Sequence, residues 1–204
     1  MLETFRPHSE FVPMSDLSKQ PVIVSHGDAH NANVWIRRES SGRPTLILFD
    51  PAFAGNSIPA LVGEIKATFH NIFAHPLWLY TPDLAARAFR VCAECNGDGI
   101  VISHDWELSK LRQEFLRLKI EKYWRPLLHQ LRTLNALPYN WEEIMRSALF
   151  CCPTLVMNLL SGPLRTESIS LLAFSIAVMC GSTPKTSSND PVAVFFAELR
   201  TSIP

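Results

Sequence analysis

The chain has 204 residues, 47% of them hydrophobic and 19% charged, which describes a globular, soluble domain of ordinary size with a real core. Its 19 basic and 19 acidic side chains cancel, so no global charge favours nucleic acid or an anionic membrane. The longest apolar run, near Leu171 to Cys180, is too short to span a bilayer, and the N-terminal stretch has no apolar signal-peptide core. Five cysteines, an odd count without a secretory signal, point to a reduced, cytoplasmic setting.

In chain order, residues 1–20 read as an irregular lead-in broken by Pro7 and Pro13. Residues 21–50 read as strand, loop, strand, turn, strand, with the hairpin loop at 39–44 around Gly42 and Pro44. After an irregular segment at 51–56, the spacing of Ile58, Leu61, Ile65, Phe69, Ile72 and Phe73 predicts a helix over 58–74, capped by Asn56 or Ser57. Thr81-Pro82-Asp83 starts a helix expected to run to Cys95 and to stop at Asn96-Gly97. Ile100 to Ile102 is a short extended segment. A long helix over 107–135 is expected to bury Leu111, Phe115, Leu118, the stem of Lys122, Trp124, Leu127, Leu128 and Leu131. Asn140 with Glu143 resembles a capping box for a helix over 141–160, kinked at Pro153. Thr166 to Cys180 is a strongly apolar helix stopped by Gly181; residues 182–189 are polar and loose, and Asp190-Pro191 opens a short terminal helix. The domain plan is therefore a lead-in at 1–20, one folded unit at 21–181, and a linker with a terminal helix at 182–204.

The chemistry concentrates in two stretches. Val22-Ile23-Val24 leads into Ser25-His26-Gly27-Asp28, with Asn33 five residues past the Asp, and Leu46-Ile47-Leu48-Phe49 ends on Asp50-Pro51-Ala52. Two carboxylates and one amide at strand ends form an oxygen-only set, which suits Mg²⁺.

His26-Gly27-Asp28 with Asn33, followed by Asp50, resembles the catalytic loop and metal-binding strand end of the aminoglycoside phosphotransferases and choline kinases, within the wider protein-kinase-like group. Gly27 in place of the protein-kinase Arg, and Asp50-Pro51-Ala52 in place of D-F-G, fit the small-molecule kinases better. The resemblance covers residues 20–180, the helical part only in general character. It implies an α+β fold, a kinase-like C-terminal lobe in which a small β unit carries the catalytic loop on a mainly helical body. It implies ATP-dependent phosphorylation of a small hydroxylated substrate, with Asp28 as the base, His26 bracing the loop, and Asn33 and Asp50 holding Mg²⁺. Only 25 residues precede His26, with one Lys (Lys19) and no Gly, so the nucleotide-binding N-terminal lobe is expected in cis or in trans outside this sequence. No nucleic-acid or membrane partner is expected.

Other readings accompany these residues. Gly27-Asp28-Ala29-His30 also looks like the opening of a metallophosphoesterase site, but no Gly-Asn-His cluster follows. A non-catalytic remnant or interaction module would keep the same lobe and show exposed apolar residues where another lobe once packed. Cys92 and Cys95 have the spacing of a zinc or redox pair, and Cys151-Cys152 reads as buried packing. The basic residues between Lys110 and Arg132 read as the solvated face of a helix.

Overall fold

The β-branched run after Gln20 opens the described part of the chain. A computed structural model describes residues 20–51, 53–74, 81–97, 99–156, 159, 166–184 and 190–201, and its architecture is α+β with small antiparallel sheets and a helical majority. β1 (Val22–Ser25) pairs antiparallel with β4 (Gly55–Pro59), β2 (Val34–Arg38) with β3 (Pro44–Leu48), and β5 (Val91–Asn96) with β6 (Gly99–His104).

The end of β4 and a turn over 60–64 replace the first turns of the helix expected over 58–74. An apolar strand such as β1 cannot satisfy its backbone groups alone, and residues 55–59 provide the ladder, with Ile23 opposite Ile58 and a bulge between Ile23 and Ser25. The helix starts later, as α1 (Ile65–Thr68), and runs on as a π-helical turn, Phe69–Phe73. The apolar periodicity is nevertheless realised, because Leu61, Ile65, Phe69, Ile72 and Phe73 are all buried.

The helix expected to reach Cys95 also stops short, as α2 (Pro82–Ala88), and residues 91–96 form a strand, β5. Asn96-Gly97, expected to terminate a helix, instead turns a hairpin in which every residue from Val91 to Asn96 has a partner on β6. Cys92 and Cys95 thereby fall three positions apart on a strand. Successive strand residues alternate faces, so the two thiols belong to opposite faces, and both are exposed and unpaired.

The long helix forms as α3 (Lys110–Lys119), a π-helical segment (Ile120–Trp124) and α4 (Arg125–Thr133), with Ser109 Oγ accepting from Arg112 N as the cap. Its buried stripe is Leu116, Ile120, Trp124, Leu128 and Leu131. Leu111, Phe115 and Leu118, expected inside, lie on another face and are exposed, as is Lys122. The π segment explains the shift: five buried positions spaced by four, four, four and three residues need slightly more than 3.6 residues per turn.

α5 (Trp141–Val156) keeps Pro153 inside the helix, and α6 (Glu167–Gly181) is buried almost all round through Ile169, Leu172, Ala173, Ile176, Ala177 and Cys180. α7 (Pro191–Thr201) is capped by Asp190, whose Oδ1 accepts from Val192 N at 2.9 Å and Ala193 N at 2.7 Å. It is no appendage: Val192, Phe195, Phe196 and Leu199 are fully buried, and the Phe195 ring lies 6.0 Å from Phe73 and 6.3 Å from Trp124. The terminal helix therefore belongs to the core of the 21–181 unit. Arg146 secures the same region, with its guanidinium bonded to Glu142 Oε1 at 2.9 Å and Ser182 O at 2.6 Å and stacked 4.0 Å over Phe196.

The β2–β3 hairpin stands apart from this core. Ile36 opposite Leu46 and Val34 opposite Leu48 make one face, and Trp35 opposite Ile47 the other. Trp35, Ile36, Leu46 and Leu48 are all exposed, and Val24 on β1 is 83% exposed.

Candidate active site

The loop between β1 and β2 is shaped by its backbone. Gly27 has φ +75°, a left-handed conformation natural to glycine. A Cβ there would lie 2.8 Å from Phe53 Cβ and closer still to Phe53 O, so the loop and the segment after Asp50 are in direct contact. Ser25 Oγ accepts from Gly27 N at 3.1 Å and donates to Gly63 O at 3.0 Å, fixing the loop to the turn before α1.

The sequence-selected residues occupy this loop and the strand end beside it. Asn33 Nδ2 donates to Asp28 O at 3.0 Å, which leaves the Asn33 side-chain oxygen as its accepting end. His26 Nε2 donates to Phe49 O at 3.0 Å, and Phe49 N donates to Asn33 O at 3.2 Å. Both loop residues thus bind the residue immediately before Asp50. Asp50 is exposed and has φ +55°, a left-handed conformation uncommon for a non-glycine residue. Asp28 and Asn33 are buried, at 8% and 7% exposure.

Asp28 is held from two sides. Lys66 Nζ, from α1, is 2.8 Å from its Oδ2, and His30 Nε2 is 3.5 Å from its Oδ1. His30 Nδ1 accepts from Ala32 N at 3.2 Å, which assigns the proton of the neutral ring to Nε2, the nitrogen facing Asp28. Asp28 Oδ1 is nonetheless buried without a hydrogen-bond partner, and so are His26 Nδ1 and His70 Nε2. The His70 ring centroid is 5.5 Å from that of His30. Burial, reinforced by His30 and then Lys66 and opposed by Asp28, lowers the His70 pKa to about 4. His70 is therefore a neutral wall of the site.

The sequence does not single out Lys66, and His70 reads there as a histidine on an apolar helix. Both lie within a helix whose apolar stripe is read as core, and nothing local signals that the polar side of α1 borders the loop. Asn71, on the same segment, accepts from Asn31 N at 2.8 Å and adds to that contact.

Mg²⁺ fits this donor set on its chemistry. It binds through one or two carboxylates and completes its shell with water and substrate phosphates rather than an all-protein cage. Among the described residues no group of three or more His, Cys, Asp or Glu could hold a metal; of the two oxygen donors, Asp50 follows directly on Phe49, whose backbone N–H bonds Asn33 O. A structural zinc at Cys92 and Cys95 has no support among the described residues. The phosphoesterase pair, Asp28 and His30, does meet, but Asp28 has an ammonium against it and His30 Nδ1 is engaged by backbone.

A cleft of about 800 Å³ lies elsewhere, lined by Trp106, Leu116, Ile120, Met179 and Val194 with ion-paired Arg125 and Glu198 at its edge, and none of the candidate residues lines it. Among the described residues no helix is long and apolar enough to cross a membrane. No family model matches the chain, and neither a curated protein nor a solved structure matches it.

Proposed function

We propose that the chain is the catalytic-loop lobe of a small-molecule phosphotransferase, which moves the γ-phosphoryl group of ATP to a substrate hydroxyl with a nucleotide-binding lobe supplied in cis or in trans. The observation that carries the reading is the bonded unit of His26, Asp28, Asn33 and Phe49. It ties the loop of a buried carboxylate, Asp28, to the residue that precedes an exposed carboxylate at a strand end, Asp50. The strained backbone of Asp50 supports it, since such conformations concentrate at functional positions.

In this reading Asp28 accepts the proton of the acceptor hydroxyl as its oxygen bonds to the γ-phosphorus. The bond from that phosphorus to the bridging oxygen breaks, and the pair of electrons leaves on ADP. Bound Mg²⁺ would neutralise the phosphate charge, held by Asp50 and Asn33. His26 braces the loop through Phe49 O. The metallophosphoesterase alternative lacks the Gly-Asn-His cluster that would complete its two-metal centre.

One observation favours a second reading, that of a non-catalytic interaction module. Val24, Trp35, Ile36, Leu46 and Leu48 expose apolar surface of the kind a partner covers.

ATP-dependent phosphorylation of a panel of hydroxylated small molecules, with an N-terminal lobe joined to the chain, separates the two. The phosphotransferase reading expects Asp28→Asn to lower turnover by about 10²–10⁴-fold. Asp50→Asn should also raise the Mg²⁺ concentration required. Equal rates for both variants and the wild type across a Mg²⁺ titration would refute the role assignments. Absence of transfer together with tight binding of a protein partner would establish the interaction module.

A further inference from the structure

Lys66 is placed at the candidate base in a lopsided way. Its Nζ is 2.8 Å from Asp28 Oδ2, yet its side chain is 30% exposed against 10% for that of Asp28. The carboxylate is the more buried partner and the cation the more exposed one. The ammonium also lies 4.9 Å from the centroid of the Phe53 ring. Phe53 comes three residues after Asp50, so Lys66 sits between the loop carrying the base and the segment leaving the candidate metal ligand. In that position it covers Oδ2, while Oδ1 faces His30 and has no hydrogen bond.

A fixed counterion role for Lys66 conflicts with access. An acceptor hydroxyl must come within hydrogen-bond reach of an Asp28 oxygen, and Oδ1 is buried while Oδ2 is occupied. A transferring phosphoryl group, for its part, needs a cation aimed at its oxygens. A partly exposed lysine has a flexible four-carbon stem and three rotatable donors, so it can move to another oxygen nearby. The cost of leaving the Asp28 carboxylate without its cation is offset by the phosphate contact and the acceptor hydroxyl.

We propose that Lys66 is a phosphate-binding group held in reserve on Asp28: an entering phosphate takes the ammonium, and the base is uncovered by the same movement. The inference rests on the phosphotransferase reading and deepens it by naming the ligand of Lys66 as a phosphate anion. It carries a thermodynamic signature. Asp28 and the phosphate compete for one cation, so removing the charge of Asp28 must strengthen phosphate binding, the reverse of what loss of an ordinary binding-site residue does.

Calorimetry on the full chain tests this with two probes, tripolyphosphate with Mg²⁺ and inorganic phosphate without it. Lys66→Met is expected to weaken binding by about tenfold, the size of one lost charge-assisted contact. Lys66→Arg should retain most of the affinity, and Asp28→Asn should increase it several-fold. The Lys66→Met/Asp28→Asn double variant, which leaves no uncompensated buried charge, should fold and bind as weakly as Lys66→Met. If Lys66→Met alone fails to fold, the comparison of Asp28→Asn with the double variant still isolates Lys66. Tripolyphosphate binding that also requires Asp50 assigns the phosphate to a nucleotide; inorganic phosphate binding indifferent to Asp50→Asn assigns it to a phosphorylated acceptor. Either assignment supports the proposal. Affinity unchanged by Lys66→Met, weakened by Asp28→Asn, or undetectable for both probes at millimolar concentration would overturn it. Phosphoryl transfer lost in Asp28→Asn with phosphate binding indifferent to Lys66 sinks this inference and leaves the phosphotransferase reading standing. Transfer indifferent to Asp28 sinks that reading first.

Discussion

Gly27 and Gly42 form a natural pair for testing the loop, because they share a backbone conformation and differ in surroundings. Their φ angles are +75° and +80°. A Cβ on Gly42, at the tip of the β2–β3 hairpin, would meet nothing within 4 Å. On Gly27 it would lie 2.8 Å from Phe53 Cβ and 2.9 Å from Phe53 C. Those neighbours are backbone, or the first side-chain carbon, and cannot swing aside. Gly42→Ala therefore carries only the left-handed penalty of an L-residue, about 1–2 kcal/mol. Gly27→Ala carries the same penalty plus overpacking of about 1–3 kcal/mol, a total of roughly 2–5 kcal/mol. Urea unfolding of the wild type and the two variants at constant m-value measures both quantities. The expected result is a midpoint shift at Gly27 roughly twice that at Gly42, with displacement of the 53–55 segment in Gly27→Ala. Equal shifts would refute the contact between the loop and Phe53, and with it the account of how the loop is held against the strand end of Asp50.

Two further predictions concern the interior. The His70 pKa is about 4 in the folded chain, lowered mainly by burial, against about 6.5 for an exposed imidazole. The unfolded chain then binds the proton first, so the His70 contribution to stability is whole above pH 6.5 and drains away as pH falls toward 4. His70→Leu is expected to lose less of its urea midpoint than the wild type between pH 7 and pH 4.5, and parallel losses would contradict the burial argument. Phe195→Ala is expected to cost about 3–5 kcal/mol, because the ring is fully buried against Phe73, Trp124 and Phe196. By contrast Val194→Ala, at a 43% exposed position beside it, should change stability by about 0.5 kcal/mol or less. Similar small effects at both positions would return the terminal helix to the status of a separate appendage.

How far the chain could be read from its residues depended on where each signal has its physical partner. The β2–β3 hairpin was legible because its turn chemistry is local: Gly42 N donates to Glu39 O, and Glu39 N to Arg43 O. The Asp190 cap was legible for the same reason, since its carboxylate bonds residues two and three positions away. β4 was not, because what makes residues 55–59 a strand is β1, more than thirty positions earlier. The 91–96 stretch misled in the opposite way, as Asn-Gly ends a helix and turns a hairpin equally well, and β6 decides between them. On α3 two apolar stripes compete, and only the packing of Trp124 against Thr68 and Phe195 selects the buried one. In the candidate site the carboxylates and amide were visible through their spacing. Lys66 was invisible, because its relation to Asp28 exists only once α1 lies against the loop.

The uncovered β2–β3 hairpin has a consequence for handling the protein. Two short strands expose Trp35, Ile36, Leu46 and Leu48 together on a ribbon that pairs with no third strand among the described residues. Such a ribbon presents both oily faces and open edges, the combination that lets chains add to one another strand by strand. The three arginines of the hairpin, Arg37, Arg38 and Arg43, gather near its turn and give the ribbon a positive tip. Colloidal behaviour should follow from that arrangement: precipitation on concentration, aggravated by salt that screens the tip, and improved yield when Ile36 and Leu46 are exchanged as a pair for threonine.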